Sequence, residues 1–284
     1  MARVDICIPV YNEAKNIGRL LRRLTREPML DNIVVVSSGC TNGTVGIAES
    51  IPGVQVLVQE RREGKASAIN LFLERSQADI VILESGDTLP GHGCIGHLLS
   101  HFEDPTVGMV GAHPIPVDGI RTVMGKVVHL LWASHHRLSK RYPKAGEVVA
   151  FRRVLSRIDP GTPVDEACIE REIIAQGLRV VYEPRAVIFN KGAGGIKDLV
   201  RQRRRIYHGH LLLWQEGYTV ATMKARHAVR AVVGSADHNV KGLVALAVFM
   251  ATEAYSRIMA HVDILRGREK PTAWAMAPST KELR

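Results

Sequence analysis

Short apolar runs alternate with helically spaced ones through the first 110 residues. Val4–Val10 reads as a strand, and residues 14–25 carry Ile17, Leu20, Leu21 and Leu24 at the spacing of one helix face. Residues 32–36 (NIVVV) give a second strand, followed by a Ser-, Gly-, Thr- and Asn-rich turn and a helix to about residue 51. A third strand at 54–58, a third helix at Lys65–Arg75 and a fourth strand at Ile80–Leu83 complete the series. Strands that are apolar throughout, separated by helices, predict a parallel sheet covered on both faces, an α/β fold.

The rest of the chain is less regular. A strand is expected at 107–112, a helix at 125–140 and a strand at 147–152. Asp165 and Glu166 then open a helix to about residue 176, with Gly177 as its stop and a strand at 178–182 behind it. From about Lys197 the pattern is helical, amphipathic and basic, and the tail after Arg266, with Pro271 and Pro278, reads as a surface strap or frayed end. The longest charge-free apolar run, 242–252, would make a helix of roughly 16 Å, half of a ~30 Å hydrocarbon layer. It is too short to span, and suits a membrane surface or a homodimer interface.

Composition narrows the function classes. With 46% hydrophobic residues in 284 the chain can bury a large core, and 5% aromatics is a poor supply of stacking platforms, so nucleic acid is not an expected partner. Thirty-eight Lys and Arg against 28 Asp and Glu give a net charge of +10, which suits a polyanion such as a nucleotide diphosphate or an anionic lipid headgroup. Cys7, Cys40, Cys94 and Cys168 lack any metal-type spacing and read as reduced thiols of a cytoplasmic protein, and the N-terminus is no signal peptide. His135-His136 and His208-x-His210 lack a third ligand nearby in sequence, so they are not read as a zinc site.

In a parallel sheet, ligands bind beyond the carboxyl ends of the strands. Four polar clusters fall there: Tyr11-Asn12-Glu13, then 37–44 (SSGCTNGT), then 59–65 (QERREGK), then 84–88 (ESGDT). Their order with VDE at 164–166 and QRRRI at 202–206 resembles the inverting GT-A glycosyltransferases of family 2, over roughly residues 3 to 210. The resemblance implies a Rossmann-like GT-A fold with a mostly parallel central sheet plus a helical C-terminal extension. The expected domain is 1–220, divided into a nucleotide-sugar-binding half (1–112) and an acceptor half (113–220), with 221–284 as the extension.

The same resemblance implies roles for residues. Pro9, Tyr11, Asn12 and Glu13 would lie beside the donor's base and ribose. Ser37 or Ser38 stands where the family carries an Asp, so a charge-assisted contact is lost. Lys65 at a helix start would meet the donor's phosphates. Ser85, Gly86 and Asp87 occupy the place of a DxD: Asp87 aligns with its second Asp and would hold Mg²⁺ or Mn²⁺, and Ser85 replaces the first. Glu84 could compensate for Ser85, or face the other way, because side chains alternate along a strand. Asp165 and Glu166 match the acidic pair that supplies the catalytic base, in reversed order, and the sequence does not separate them. Gln202, Arg203 and Arg205 match a QxxRW motif with Ile206 for Trp, which argues against a polysaccharide synthase.

The expected activity is therefore inverting, metal-dependent transfer of a sugar from a nucleotide-diphosphate sugar to an acceptor hydroxyl, with a lipid or lipid-linked acceptor suggested by the basic, amphipathic C-terminal third. A UDP-sugar is the family's usual donor, and the missing Asp leaves GDP open. Peripheral contact with the cytoplasmic membrane face is expected alongside. Two other readings rank lower: a GT-A fold that has lost activity and binds a polyanion or partner, and a sugar nucleotidyltransferase, which would want a Gly-rich basic loop where Tyr11–Ala14 stand.

Overall fold

A computed structural model describes residues 2–144 and 146–267. The expected strap after Arg266 lies almost wholly outside them. The chain runs β1 (Val4–Val10), α1 (Ile17–Leu24), β2 (Asn32–Ser38), α2 (Thr44–Glu49), β3 (Val54–Gln59), α3 (Lys65–Arg75), β4 (Ile80–Leu83), β5 (Thr88–Pro90) and α4 (Cys94–Leu99). It continues through β6 (Val107–Pro116), α5 (Val123–Ser139), β7 (Val149–Arg152), α6 (Asp165–Ala175), β8 (Arg179–Asn190) and α7 (Ile196–Gln215). Two further helices follow, α8 (Ala225–Val233) and α9 (Val240–Leu265).

One eight-stranded sheet has the order β3-β2-β1-β4-β7-β6-β8-β5. The first four strands are parallel, as is the β6–β8 pair, whereas β7 and β5 run antiparallel to their neighbours. Alternate residues of each central strand serve opposite faces. Ile6, Ile8, Ile33 and Val35 pack with Leu20, Leu21 and Leu24 of α1 and Ile95 and Leu98 of α4. On the other face Cys7, Val34, Val81 and Phe151 pack with Ile69 and Phe72 of α3 and Ile169 and Ile173 of α6. A separate helical cluster joins α5, α8 and α9 through Val127, Leu130, Val232 and Phe249.

Four elements depart from the expected pattern. The β5 strand and α4 helix fall in a stretch where no element is expected: Thr88–Pro90 is a three-residue edge strand on β8, where a proline costs no ladder bond. The β8 strand continues to Asn190 past Pro184, because its register with β6 shifts between Gly111 and His113 and pairing resumes. The α9 helix runs 26 residues, well beyond the apolar run at 242–252. The helix is long and apolar enough, by length and composition, to cross a membrane. The charges that had ended the run on paper, from Glu253 onward, are carried inside the helix against α7. Gly177 does end α6, with φ at 76°, and all four cysteines are free, three of them buried.

Strand order reverses about β1, with β2 on one side and β4 on the other. The chain leaves β1 and β2 for α1 and α2 on one face and returns to β4 through α3 on the other, so a crevice opens beyond the carboxyl ends of β1 and β4.

Candidate active site

A cleft of about 610 Å³ occupies that crevice. Its walls come from Pro9, Tyr11 and Glu13 after β1, Ser38 at the end of β2, Lys65 at the start of α3, and Ser85, Gly86 and Asp87 after β4. Facing them stand Glu147, Asp165 and Glu166, and then Gln202, Arg203, Arg205 and Ile206 on α7. Residues as far apart in sequence as Pro9 and Ile206 therefore share one chamber.

The geometry explains several residue types. A side chain at Gly86 would come within 2.8 Å of Val10 Cγ1 and 2.9 Å of Glu13 Cγ, so the β4 exit can lie against the β1 exit only as glycine. Glu13 is buried; its backbone carbonyl accepts from Asn16 and Ile17 to start α1, and its Oε2 accepts from Asn16 Nδ2 at 3.2 Å. Ser38 Oγ accepts from the backbone N–H of Glu63 at 3.0 Å and of Gly64 at 3.2 Å, docking the loop before α3 onto β2.

Two sequence candidates do not line the cleft. Asn12, at φ 57°, turns its amide to the second loop, where Oδ1 accepts from Thr41 N at 2.8 Å and Nδ2 donates to Thr41 Oγ1 at 3.1 Å. Ser37 is fully buried, with its Oγ accepting from Cys40 N at 3.4 Å, and the neighbouring Ser38 takes the cleft-facing place. Glu84 settles the alternative left open beside Ser85. It is completely buried, accepts from the Thr88 hydroxyl, and does not reach the cleft. Burial pushes its carboxyl up to about 8.

The acidic pair is tied to the opposite wall. Lys65 Nζ donates to Glu166 Oε1 at 2.6 Å and lies 3.7 Å from Asp165 Oδ2. Burial alone would lower the lysine's pKa, but the two carboxylates outweigh it and hold it protonated. The carboxylates respond differently. Burial pushes Asp165 up to about 6 against the pull of Lys65. Glu166 also meets a desolvation cost, yet its ion pair and hydrogen bond with Lys65 prevail and keep it ionised below the usual carboxylate range.

Sequence reading missed three contributors. Arg62 places its guanidinium 4.0 Å from the Tyr11 ring centroid and lines the cleft. Glu147 was taken only as the start of a strand; it holds φ at 61° and faces the cleft, and burial together with the charges of Asp87 and Glu166 pushes it up to about 7. Lys144 lines the same wall, its pKa lowered by burial. Arg62 had its signal in the polar cluster at 59–65, and Glu147 only in being a charge set just before an apolar strand.

The donor set fits a hard divalent cation. Asp87 offers a carboxylate beside the Ser85 hydroxyl, and Asp87's negative charge helps raise both Glu84 and Glu147, a charge excess that a cation would relieve. Among the described residues there is no cluster of three or more His, Cys, Asp or Glu side chains arranged to hold a metal. Asp87 and Ser85 would leave most of the coordination of a Mg²⁺ or Mn²⁺ ion to water and ligand oxygens.

The family model described as Glycosyl transferase family 2 matches residues 5–158. Among curated proteins, a glycosyltransferase, AglE, of Haloferax volcanii is 28% identical over 117 residues, 39% of this chain and 38% of that protein. The chain thus matches well under half the length of such relatives. Among solved structures, mannosyltransferase PcManGT from Pyrobaculum calidifontis, in complex with GDP-Man and Mn²⁺, superposes with a TM-score of 0.64. That match is 21% identical and covers 94% of this chain and 88% of the other. Glucosyl-3-phosphoglycerate synthase from Mycobacterium tuberculosis, in complex with Mn²⁺, UDP and phosphoglyceric acid, gives 0.53 at 18% identity, covering 72% and 76%. These likenesses show a GT-A fold.

Proposed function

The chain belongs to glycosyl transferase family 2, and we propose that it transfers a sugar from a nucleotide-diphosphate sugar to an acceptor hydroxyl with inversion, aided by Mg²⁺ or Mn²⁺. The observation that carries this reading is the Lys65 bridge. A cation at the start of the donor-side helix α3 touches the acidic pair at the start of α6, across the cleft that also holds Asp87.

The residues divide the work by position. Tyr11, with Arg62 over its ring, gives the base a flat polar wall, and Glu13 and the Ser38 hydroxyl lie near the place of the ribose. Lys65, Arg62 and Arg205 supply positive charge to a diphosphate. Asp87 and Ser85 would hold the metal ion, whose chemistry is to neutralise charge on the leaving diphosphate.

Inversion needs one carboxylate that is ionised before the acceptor arrives and open to it. Glu166 meets both conditions: Lys65 keeps it ionised, and its side chain is 20% exposed against 9% for Asp165. Glu166 takes the hydroxyl proton as that oxygen attacks the anomeric carbon, the glycosidic bond to the diphosphate breaks, and Lys65 turns to the charge that develops there. Asp165 is a positioning residue behind it. The acceptor is a lipid or lipid-linked hydroxyl: the cleft beyond α7 is walled by Trp132, Val229, Val232, Phe249 and Met250, and Ile206 offers no indole for a sugar chain. The chain acts as a 1–220 catalytic unit with a 221–284 extension.

Calorimetric titration with UDP and GDP, each with Mn²⁺ and with EDTA, on the wild type and Asp87→Ala tests the donor assignment. Tight binding of one nucleotide that requires both metal and Asp87 is expected and names the base. Absence of binding for both nucleotides with Mn²⁺ present would sink it.

A further inference from the structure

The polarity of α9 is reversed. Its polar residues other than His261 turn inward: Thr252, Ser256 and Asp263 are buried, Glu253 pairs with Arg203, and Asp263 accepts from Arg204 at 2.5 and 2.6 Å, all against α7. Its large apolar residues turn outward. Leu243, Val244, Met250, Tyr255, Ile258 and Leu265 are all exposed, and no Lys, Arg, Asp or Glu between Lys241 and Arg266 is exposed among them. Only 28% of its most apolar stretch is buried, unlike the core helix of a water-soluble domain.

We infer that this outward face of α9, with the exposed side of α8, lies on an anionic membrane and that the cleft opens into it, so that an amphiphilic acceptor enters sideways from the lipid. The inference deepens the lipid-acceptor reading above and rests on it only for the identity of what enters. Three observations select a bilayer as the occupant. The face is bordered by the exposed cations Lys224, Arg226 and Arg230 of the α8 region and by Lys241 and Arg266 at the two ends of α9. These match anionic headgroups and would repel one another across a two-fold contact with a second copy. Val229, Met250 and Ala254 belong both to the exposed face and to the cleft wall, so the mouth lies within the apolar surface, where a second copy would seal it. Finally, α9 is long enough to span, yet spanning would carry Glu253, Arg257 and Asp263 into hydrocarbon or tear the two acids from Arg203 and Arg204 of α7. An in-plane helix keeps those pairs and still buries the apolar stripe.

The test is co-sedimentation of the full chain with phosphatidylcholine vesicles and with vesicles containing phosphatidylglycerol. Binding is expected to both and to be stronger to the anionic ones. Leu243→Glu with Ile258→Glu should lower partitioning roughly tenfold or more on both. Lys241→Glu with Arg266→Glu should weaken the anionic preference, roughly fivefold per lost cation, and leave the phosphatidylcholine level in place. None of the four residues lines the cleft, so nucleotide titration of each variant reports an intact fold. A protein that binds nucleotide but neither kind of vesicle at low salt overturns the inference. So does a solution dimer that Leu243→Glu and Ile258→Glu dissociate while vesicles are ignored, since that assigns the face to a second copy. Vesicle binding with no nucleotide binding leaves the membrane face standing and removes the donor reading instead.

Discussion

Lys65→Met deletes a charge that two carboxylates share. At 2.6 Å from Glu166 and 3.7 Å from Asp165, an effective dielectric of about 20 gives attractions of roughly 6 and 4 kcal/mol. Neither is a net contribution. Lys65 is 31% and Glu166 20% exposed at the side chain, so solvent screens the pair and the desolvation of all three groups is subtracted. What remains to be lost is about 2–3 kcal/mol, equivalent to a fall in Tm of roughly 3–5 °C for a chain of this size.

The pH dependence identifies the cause. Glu166's folded pKa is depressed, so its contribution is present above its unfolded value and disappears as pH falls through the folded one. Lys65's folded pKa is raised, so its contribution is present below its unfolded value and disappears as pH rises through the folded one. The full deficit of Lys65→Met should therefore appear between about pH 7 and pH 10 and shrink on the acid side as first Asp165 and then Glu166 is protonated. Urea unfolding of wild type and variant at pH 7.5 and at pH 3.5 measures it. A deficit of equal size at both pH values would mean that Lys65 contributes packing and not charge, and the ion-pair account of the cleft would be wrong.

Three further outcomes follow from the same geometry. Asp165→Asn removes a carboxyl that burial raises from 3.8 to about 6. The ionised group destabilises the fold above pH 6, so the variant should be more stable at pH 7.5 by about 1–3 kcal/mol and no more stable below pH 4, read by thermal unfolding. Glu166→Gln should lower kcat at least a hundredfold with nucleotide affinity within about threefold of wild type; if Asp165→Asn shows that kinetic pattern and Glu166→Gln does not, the two carboxylates exchange roles. Gly86→Ala drives a methyl against Val10 and Glu13 and should cost about 1–3 kcal/mol of stability, with calorimetry showing weaker nucleotide binding because both loops are displaced from the cleft.

The donor half of the fold was legible because its code is local. In β1 through β4 the apolar periodicity named the strands and faces, and a parallel sheet leaves a single rule for where the polar loops gather. Residues whose position depends on distant partners were not legible in this way. Ser38 rather than Ser37 faces the cleft because Glu63 and Gly64 dock on it. Glu147 reaches it through a left-handed backbone that no periodicity signals. The length of α9 was hidden for a related reason. A charge ends an apolar run when each residue is judged alone, but Glu253 and Asp263 are cancelled by Arg203 and Arg204, fifty or more positions earlier.

That cancellation also resolves the meaning of the basic run at 201–205. As sequence it matches a QxxRW motif and concentrates positive charge without dividing it among partners. In the folded chain Arg205 and Gln202 face the cleft, Arg204 is spent on Asp263, and Arg203 does both, lining the cleft while paired with Glu253. One helix thus neutralises the inner face of α9 with some of its arginines and presents charge to the cleft with others. Had α7 carried neutral residues at 203 and 204, Glu253 would keep only the longer pairing with Arg257 and Asp263 would lose its two bonds from Arg204, so burying both acids would cost far more. The helix would have to roll its apolar stripe inward and its charges out, closing the mouth between Val229 and Met250. The exposed apolar surface and the open end of the cleft are therefore two results of the same pair of arginines.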